Sequence, residues 1–222
     1  MNRFSPSQIL HPFNSFHDTI ASRIPSQEAS PALPRLIPFL LQASSFQRKK
    51  RIMPQPAALE TASLRAHFIV FSDRVLNGSK EDRATPACAK ALEAAGITDT
   101  TTTVVPEQRE ALYSEIRSAL ASGARLVLVL GGSGFGVGNV APEVVRELIE
   151  VEIPGIAEQI RSHGLQSTPL SGLSREVVGV TARDSSGALL VASPGSKGGA
   201  LDTLAVLVPL LPAIYHQLDE ER

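Results

Sequence analysis

Two glycine-rich segments of this 222-residue chain have the composition of phosphate-binding loops. The first, at 131–143 (GGSGFGVGNVAPE), follows an apolar run, and the second, at 193–199 (SPGSKGG), follows a similar run near the C-terminus. Glycine lets the backbone approach an anion closely, and the free N–H groups at the start of a helix point towards it. Two such loops in one domain predict a ligand that carries more than one anionic group.

Polar side chains in and near these loops are candidate ligand contacts. Ser196 offers a hydroxyl and Lys197 an ammonium group to a second phosphate; the alternative for Lys197 is a solvated surface position. Ser174 and Arg175 directly precede a predicted strand. Three roles are open for Arg175: contact with a phosphate, contact with a neighbouring subunit, or a purely structural ion pair.

Two aspartates are predicted at the carboxyl-terminal edge of the sheet, where open α/β folds bind ligands. Asp73 follows the first predicted strand, and Asp82 precedes the first predicted helix. Asp73 either contacts a ligand or a metal, or binds the amides of a turn. Asp82 either contacts a ligand or caps the helix. The residues alone leave these alternatives open.

Several other kinds of site lack support in the sequence. The five histidines are scattered without zinc-ligand spacing. Neither glycine-rich segment contains the P-loop pattern, and GGSG is out of register with a nucleophile elbow. The one cysteine, Cys88, lies on an apolar predicted helix and is expected in the core. A net charge of −1 and the absence of a long apolar run predict neither nucleic acid nor membrane as a partner.

The first 52 residues differ in composition from the rest of the chain. They contain five of the eight phenylalanines and none of the 16 glycines, and they end in a basic cluster at 48–51. This composition overlaps that of organelle transit peptides, and the cluster weakly resembles a nuclear or polyanion-binding signal. We favour a disordered extension, or a start codon assigned before the true start at Met53. The domains predicted are an extension and linker at 1–63 and a folded domain at 64–222.

Hydrophobic periodicity and turn residues divide the remaining chain into alternating strands and helices. Strands are predicted at Ala66–Phe71, Thr100–Val105 and Leu126–Leu130, followed by a hairpin at 176–182 and 188–192. Helices are predicted from an N-cap at Thr85 to Gly96, from Pro106 to Gly123, from Pro142 to His163 with a break at Pro154, and at 201–218. This order predicts an α/β fold, a three-layer α/β/α sandwich with a mainly parallel sheet and a C-terminal hairpin.

Six motifs, in their order and spacing, resemble the Mog/MoaB-type molybdopterin-binding family, which includes the G domain of gephyrin. They are Ser-Asp-Arg at 72–74, Glu-Asp-Arg at 81–83, the segment 131–143, Glu-Ile-Pro-Gly at 152–155, Leu-Ser-Arg at 173–175 and Pro-Gly-Ser-Lys-Gly at 194–198. The resemblance covers roughly residues 65–218. It implies a homotrimer in molybdenum cofactor biosynthesis, a family whose active members transfer the adenylyl group of MgATP to molybdopterin. Apolar stretches at Val177–Val180 and 204–211 offer surface for such an assembly. The single cysteine allows no internal disulfide and suits a reducing compartment, so we expect a cytoplasmic protein.

The resemblance also implies roles for individual residues. Contacts to molybdopterin and nucleotide are implied at Ser72, Asp73, Asp82, Gly131, Gly132, Ser133, Gly134, Glu143, Ser174, Arg175, Pro194, Gly195, Ser196 and Lys197. Catalytic roles are implied at Asn139, Asp73 and Glu107, with Asn139 and Asp73 as ligands of Mg²⁺.

Two positions depart from the pattern of active family members, which carry aspartate at both. This chain has Asn139 at the first and Glu107, after Pro106, at the second. Asparagine offers a metal a carbonyl but no charge, and one unit-charge pair at ~4 Å is worth roughly 4 kcal/mol at an effective dielectric of about 20. Asn139 is also placed to cap the following helix. Two hypotheses result: a molybdopterin adenylyltransferase, or a non-catalytic trimeric molybdopterin-binding scaffold.

Overall fold

The computed structural model describes residues 64–220, and the predicted extension and linker at 1–63 lie outside this range. The strands are β1 (Ala66–Phe71), β2 (Thr100–Val105), β3 (Leu126–Leu130), β4 (Val151–Glu152), β5 (Val177–Val180) and β6 (Leu189–Ser193). The helices are α1 (Asp73–Leu76), α2 (Ala84–Ala94), α3 (Arg109–Ala121), α4 (Ala141–Leu148), α5 (Pro154–Gly164), α6 (Lys197–Leu207) and α7 (Leu211–Asp219). Short 3₁₀ segments lie at Pro169–Leu173 and Val208–Leu210.

The six strands form one sheet in the order β2-β1-β3-β6-β5-β4. Neighbours among the first four strands pair in parallel, whereas β5 pairs antiparallel with both β6 and β4. The predicted mainly parallel sheet and its hairpin are therefore confirmed. Because β1, β2, β3 and β6 share a direction, their carboxyl ends meet at one edge, where Ser72, Pro106, Gly131 and Pro194 continue the chain.

Alternate residues of the central strands face two separate hydrophobic cores. Phe68 of β1 and Leu128 of β3 pack in the core formed with α2, α5, α6 and α7. Their neighbours Ile69 and Val129 pack in the core formed with α3 and α4. Cys88 of α2 lies in the first core, and burial raises the pKa of its thiol to about 12. The prediction of a core cysteine is confirmed.

Two predicted helix starts are wrong by a few residues. α2 begins at Ala84, because the carboxylate of Asp82 accepts hydrogen bonds from the N–H groups of Ala84 and Thr85, both at 3.0 Å. Asp82 is thus the capping side chain, and Thr85 is buried in the first helical turn. α3 begins at Arg109, because the chain first makes a tight turn in which the carbonyl of Pro106 accepts a hydrogen bond.

The C-terminal half departs from the prediction in three further ways. Pro154 does separate two helices, but the short strand β4 lies between them and pairs with β5. The last helix is interrupted by the 3₁₀ segment Val208–Leu210, because proline at 209 cannot donate the helical hydrogen bond. Val177–Val180 offers no interface surface, since all four residues are buried as β5.

One helical stretch, Lys197–Asp219, is long and apolar enough by length and composition to cross a membrane, with a mean hydropathy of 1.5. The prediction that no run approaches this length is therefore wrong. Within the domain, Leu204, Leu211 and Tyr215 of the stretch are buried in the core. The hydroxyl of Tyr215 also donates a hydrogen bond to the carbonyl of Arg125 at 2.6 Å. These contacts give the apolar composition a role in packing.

The ends of β1, β3 and β6 approach so closely that two positions require glycine. Gly131 has a φ of +117°, and a Cβ there would lie 2.6 Å from the carbonyl oxygen of Phe71. A Cβ on Gly195 would lie 2.9 Å from the Cα of Gly131. The N–H of Gly131 donates to the carbonyl of Ser193 at 3.0 Å. A side chain at Gly131 would push the ends of β1 and β3 apart, and one at Gly195 would push the two glycine-rich loops apart.

We expect Gly131→Ala to lower the free energy of unfolding by at least about 2 kcal/mol, because backbone strain adds to the contact with the Phe71 carbonyl. Gly155→Ala is the matched control, since a Cβ there meets nothing within 4 Å in α5. Its effect should stay within about 1 kcal/mol, in the stabilising direction. Urea unfolding followed by circular dichroism measures both variants. Equal stability would contradict the constraint assigned to Gly131.

Candidate functional site

The two glycine-rich loops border one cavity of about 400 Å³ at the carboxyl edge of the sheet. Predicted site residues that line it are Ser133, Gly134, Ser174, Pro194 and Ser196. A larger cavity of about 940 Å³ lies between the hairpin turn and α7, and none of the predicted site residues lines it. The smaller cavity is therefore the candidate ligand site.

Arg175 holds the first loop in place. Its Nε donates to the carbonyl of Gly134 at 2.7 Å, and its Nη2 donates to the carbonyl of Asn139 at 2.5 Å. The guanidinium also pairs with the carboxylate of Glu143, and these hydrogen bonds lower the pKa of Glu143. The backbone N–H of Arg175 donates to the carbonyl of Ser133 at 2.9 Å. One arginine thus connects both ends of the loop.

Of the roles open for Arg175, the structure shows the structural ion pair. Its positive charge faces the carboxylate of Glu143, which lies in the first turn of α4 and also complements the helix dipole there. The N–H groups of residues 132–138 make no hydrogen bond within the described residues, while the guanidinium fixes the shape of the loop that carries them.

Asn139 lies half-buried within the first loop, with its side chain against the loop's own glycines. Its Nδ2 lies 2.9 Å from where a Cβ of Gly136 would sit, and its Cγ lies 3.6 Å from the corresponding point of Gly134. The N-cap of α4 is Val140, so the capping role considered for Asn139 is wrong. The amide makes no hydrogen bond with another described residue. It is available to a ligand.

The second loop leads directly into α6. Ser196 is the N-cap of this helix, and its hydroxyl accepts a hydrogen bond from the N–H of Gly199 at 3.2 Å. The first N–H groups of a helix have no partner within it, so those of Lys197 and Gly198 remain for a ligand. The side chain of Lys197 is exposed, lies outside the cavity lining and pairs with no described residue.

Ser72, Asp73 and Glu107 lie together at the ends of β1 and β2. The Oδ1 of Asp73 accepts a hydrogen bond from the N–H of Glu107 at 3.0 Å. The hydroxyl of Ser72 accepts one from the N–H of Val75 at 3.4 Å and caps α1. Asp73 therefore binds a turn amide, one of its predicted alternatives. No hydrogen bond within 64–220 joins this group to Asn139.

No group of three or more His, Cys, Asp or Glu side chains within residues 64–220 is arranged to hold a metal ion. Mg²⁺ needs no such cage when it is bound through one or two side chains and the phosphates of a substrate. The carboxylate of Asp73 and the amide of Asn139 offer single oxygen ligands of that kind. These residues fit a cation that arrives with a nucleotide.

Glu176 is a cavity residue that the sequence analysis did not single out. It is only 3% exposed, and its Oε1 accepts a hydrogen bond from the hydroxyl of Thr203 at 2.7 Å. Burial raises the pKa of Glu176 to about 7. A signal was present in the alternation of the strand: 176 shares a face with Val178 and Val180, which both pack in the core.

The family model of a probable molybdopterin binding domain matches residues 67–213. The chain is 34% identical over 151 residues to a molybdenum cofactor biosynthesis bifunctional protein of Synechococcus elongatus, covering 68% of this chain and 46% of that protein. It is 29% identical over 147 residues to a molybdopterin adenylyltransferase of Haemophilus influenzae, covering 65% and 73%. The solved molybdopterin biosynthesis Mog protein of Mycobacterium ulcerans has a TM-score of 0.64 at 31% identity, covering 70% of this chain and 99% of that one. The chain thus spans about half the length of the bifunctional relative.

We expect Glu176→Gln to stabilise the domain increasingly as the pH rises. The unfolded carboxyl ionises near its ordinary pKa of 4.5, whereas the folded one keeps its proton up to about pH 7. In wild type, the contribution of the protonated Glu176 carboxyl to the free energy of unfolding is therefore full below pH 4.5 and is lost as the pH rises through 7. The free energy of unfolding of Glu176→Gln minus that of wild type should be on the order of 3 kcal/mol larger at about pH 8 than at about pH 4.5. Urea unfolding across this range measures the gain, and a pH-independent difference would contradict the assigned protonation.

Proposed function

The chain belongs to the family of molybdopterin-binding domains found in proteins of molybdenum cofactor biosynthesis, and we propose that it binds molybdopterin where its two glycine-rich loops meet. The convergence of both loops on one cavity carries the proposal. Each loop offers a separate set of N–H donors, so together they suit a ligand with two anionic groups. Molybdopterin and a nucleotide phosphate supply such groups.

The proposed reaction is transfer of the adenylyl group of ATP to molybdopterin. An oxygen of the terminal phosphate of molybdopterin attacks the α-phosphorus of ATP and forms a new P–O bond. The bond from the α-phosphorus to the oxygen bridging the β-phosphate breaks, and pyrophosphate leaves with the electron pair. The nucleophile is already anionic, so no base is needed. Catalysis then depends on alignment and on offsetting charge between two anions.

The described residues divide these tasks between them. The N–H groups of the first loop hold one phosphate, and the start of α6 with Ser196 and Lys197 holds the other. Arg175 keeps the first loop in its binding shape through Gly134 and Asn139. The Mg²⁺ that accompanies ATP would be held through an oxygen of Asp73 or of Asn139 together with the phosphates of the nucleotide. It would supply positive charge to offset the charge between the two anions.

A second candidate function is a non-catalytic molybdopterin-binding scaffold, and Asn139 favours it. The loop that carries Asn139 is intact, and Arg175 fixes it at both ends, but its amide brings no negative charge to a cation. Glu107 is exposed and its backbone, rather than its carboxylate, contacts Asp73. Ligand binding would survive these two differences more readily than turnover.

Assembly and location are part of the same proposal. A homotrimer is expected from the family resemblance, and a cytoplasmic location from the single cysteine. Since Val177–Val180 is buried, the stretch 204–211 remains as the predicted interface surface. Phe135, Val137, Leu170 and Leu173, which are exposed in large part, are further apolar candidates. The first two project from the glycine-rich loop, so an interface there would place the site near a neighbouring subunit.

Asn139→Asp should increase adenylyl transfer at saturating Mg²⁺, because it restores a charge beside the cation. The measurement is the formation of adenylated molybdopterin from purified protein, molybdopterin and MgATP. A gain of about a hundredfold corresponds to roughly 2.7 kcal/mol of barrier. Molybdopterin affinity should change little. Gln159→Glu adds the same charge at an exposed position of α5 that does not line the cavity, and serves as the control.

The other outcomes of this experiment also decide between the two functions. A wild type already as active as Asn139→Asp would show that another group holds the cation, with Asp73, Asp82 and Glu107 then tested by alanine substitution. Binding of molybdopterin by both forms without turnover would support the scaffold. A failure of both forms to bind molybdopterin would contradict the proposed function.

The assembly prediction has a direct test. Light scattering at micromolar concentration should give three times the 23.6 kDa mass of one chain. Because Phe135 is 75% exposed on the loop, Phe135→Ser should weaken the trimer if the interface includes it, without loss of folding. A wild-type mass near that of one chain would reject the homotrimer.

A further inference from the structure

The candidate cavity is lined by both apolar and polar side chains. Ile160, Leu170 and Leu173 supply apolar surface, and Leu170 and Leu173 remain 67% and 53% exposed. Among the polar residues of the lining, Glu176 is buried and Ser174 is half-buried. A space of this kind suits a flat ring system with hydrogen-bonding groups along one side.

The carboxyl of Glu176 is held in a fixed position. Its Oε1 accepts from the hydroxyl of Thr203 at 2.7 Å, and that hydroxyl lies 2.9 Å from the hydroxyl of Ser193 and 3.0 Å from the carbonyl of Gly199. No described residue donates a hydrogen bond to Oε2. The Oγ of Ser174, which lines the same cavity, is buried and also has no partner among the described residues.

The charges of the site determine which part of the ligand can lie beside Glu176 and which can lie beside the loops. A phosphate beside Glu176 would place two anionic groups together in a buried environment, which is costly. The start of α6 and the first loop instead offer N–H groups that favour anions. Glu176 therefore favours N–H donors of a ligand, whereas the N–H groups of the loops favour its phosphates.

We propose that Glu176 and Ser174 recognise the pterin ring of the ligand, with the carboxylate of Glu176 accepting hydrogen bonds from its adjacent ring N–H and amino groups. This inference rests on the proposed binding of molybdopterin and adds the residues that recognise its pterin ring. The aminopyrimidinone edge of a pterin presents two neighbouring donors, which match the two oxygens of one carboxylate. The hydroxyl of Ser174 pairs with the ring carbonyl. Adenine presents one donor and one acceptor and does not match an ionised carboxylate.

Ionisation of Glu176 then couples ring binding to pH. The charged groups that face it are Arg161 of α5, whose Nη1 donates to the carbonyl of Glu176 at 3.4 Å, and Asp202 of α6, which pairs with His163. Arg161 lowers the pKa of Glu176 and Asp202 raises it, but burial has the largest effect. Because the ring requires the ionised carboxyl, its affinity should rise as the pH increases through about 7.

The test measures the affinity of 6-hydroxymethylpterin phosphate and of AMP by calorimetry, between about pH 6 and about pH 7.5. For wild type, the pterin phosphate should bind several-fold more tightly at the higher pH. Glu176→Gln should weaken its binding at least tenfold at the higher pH, because the amide turns a donor towards the donors of the ring. The phosphate of the ligand also changes its charge in this pH range, and it does so with the variant as well. The pH dependence that the variant keeps therefore belongs to the phosphate, and the part that it loses belongs to Glu176. Glu115→Gln removes a partly buried carboxylate that faces His67 at the opposite end of β1 and should bind as wild type does.

Each other result would overturn the inference. An unchanged affinity of folded Glu176→Gln, as judged by its melting curve, would show that the ring lies elsewhere. Loss of AMP binding alone in this variant would assign the cavity to adenine. Absence of pterin phosphate binding by wild type at millimolar concentration would also overturn it. If wild type and Glu176→Gln bind molybdopterin equally, the inference fails and the proposed function stands; if neither binds molybdopterin, the proposed function itself fails.

Discussion

The close approach of backbone at Phe71, Gly131 and Gly195 is the constraint on which the candidate site depends. These residues follow or end three neighbouring parallel strands, and there is no space between them for a Cβ atom. The tight junction sets the separation of the two glycine-rich loops and therefore the width of the cavity between them. Burial of β1, β3 and β6 on both faces keeps this junction rigid, since neither core can yield without exposing apolar surface.

A single arginine fixes the first loop, as the glycine junction fixes the edge of the sheet. Arg175 comes from the segment before β5, yet it binds carbonyls at both ends of the loop and the carboxylate that follows. Because Arg175 binds carbonyl groups, the N–H groups of residues 132–138, which make no hydrogen bond within the described residues, remain for a ligand. The arrangement reduces the conformational entropy that an incoming phosphate would otherwise have to remove. The guanidinium of Arg175 thus assists anion binding by holding the loop in shape, without contacting the anion itself.

The strands and loops could be predicted from the sequence because the signals that specify them are local. Apolar runs such as Leu126–Leu130 and glycines such as Gly96 depend little on distant residues. The start of α2 could not be placed, because Asp82 caps it from outside the periodic pattern. The alternation of β5 could have indicated that Glu176 faces the core, but its hydrogen-bond partner Thr203 lies 27 residues away and could not be identified from a local pattern. Local patterns predicted where the site lies; its polar interior required the tertiary structure.

The buried thiol of Cys88 makes the domain suitable for chemical labelling. It is the one cysteine in the chain, and burial raises the pKa of its thiol to about 12, so that the reactive thiolate is disfavoured at neutral pH. Maleimide and similar reagents should therefore leave the folded protein unmodified. Leu170→Cys would place a single reactive thiol at the cavity rim, where a fluorophore reports directly on occupancy. A core residue with no part in binding thereby allows the site to be observed without removing any native cysteine.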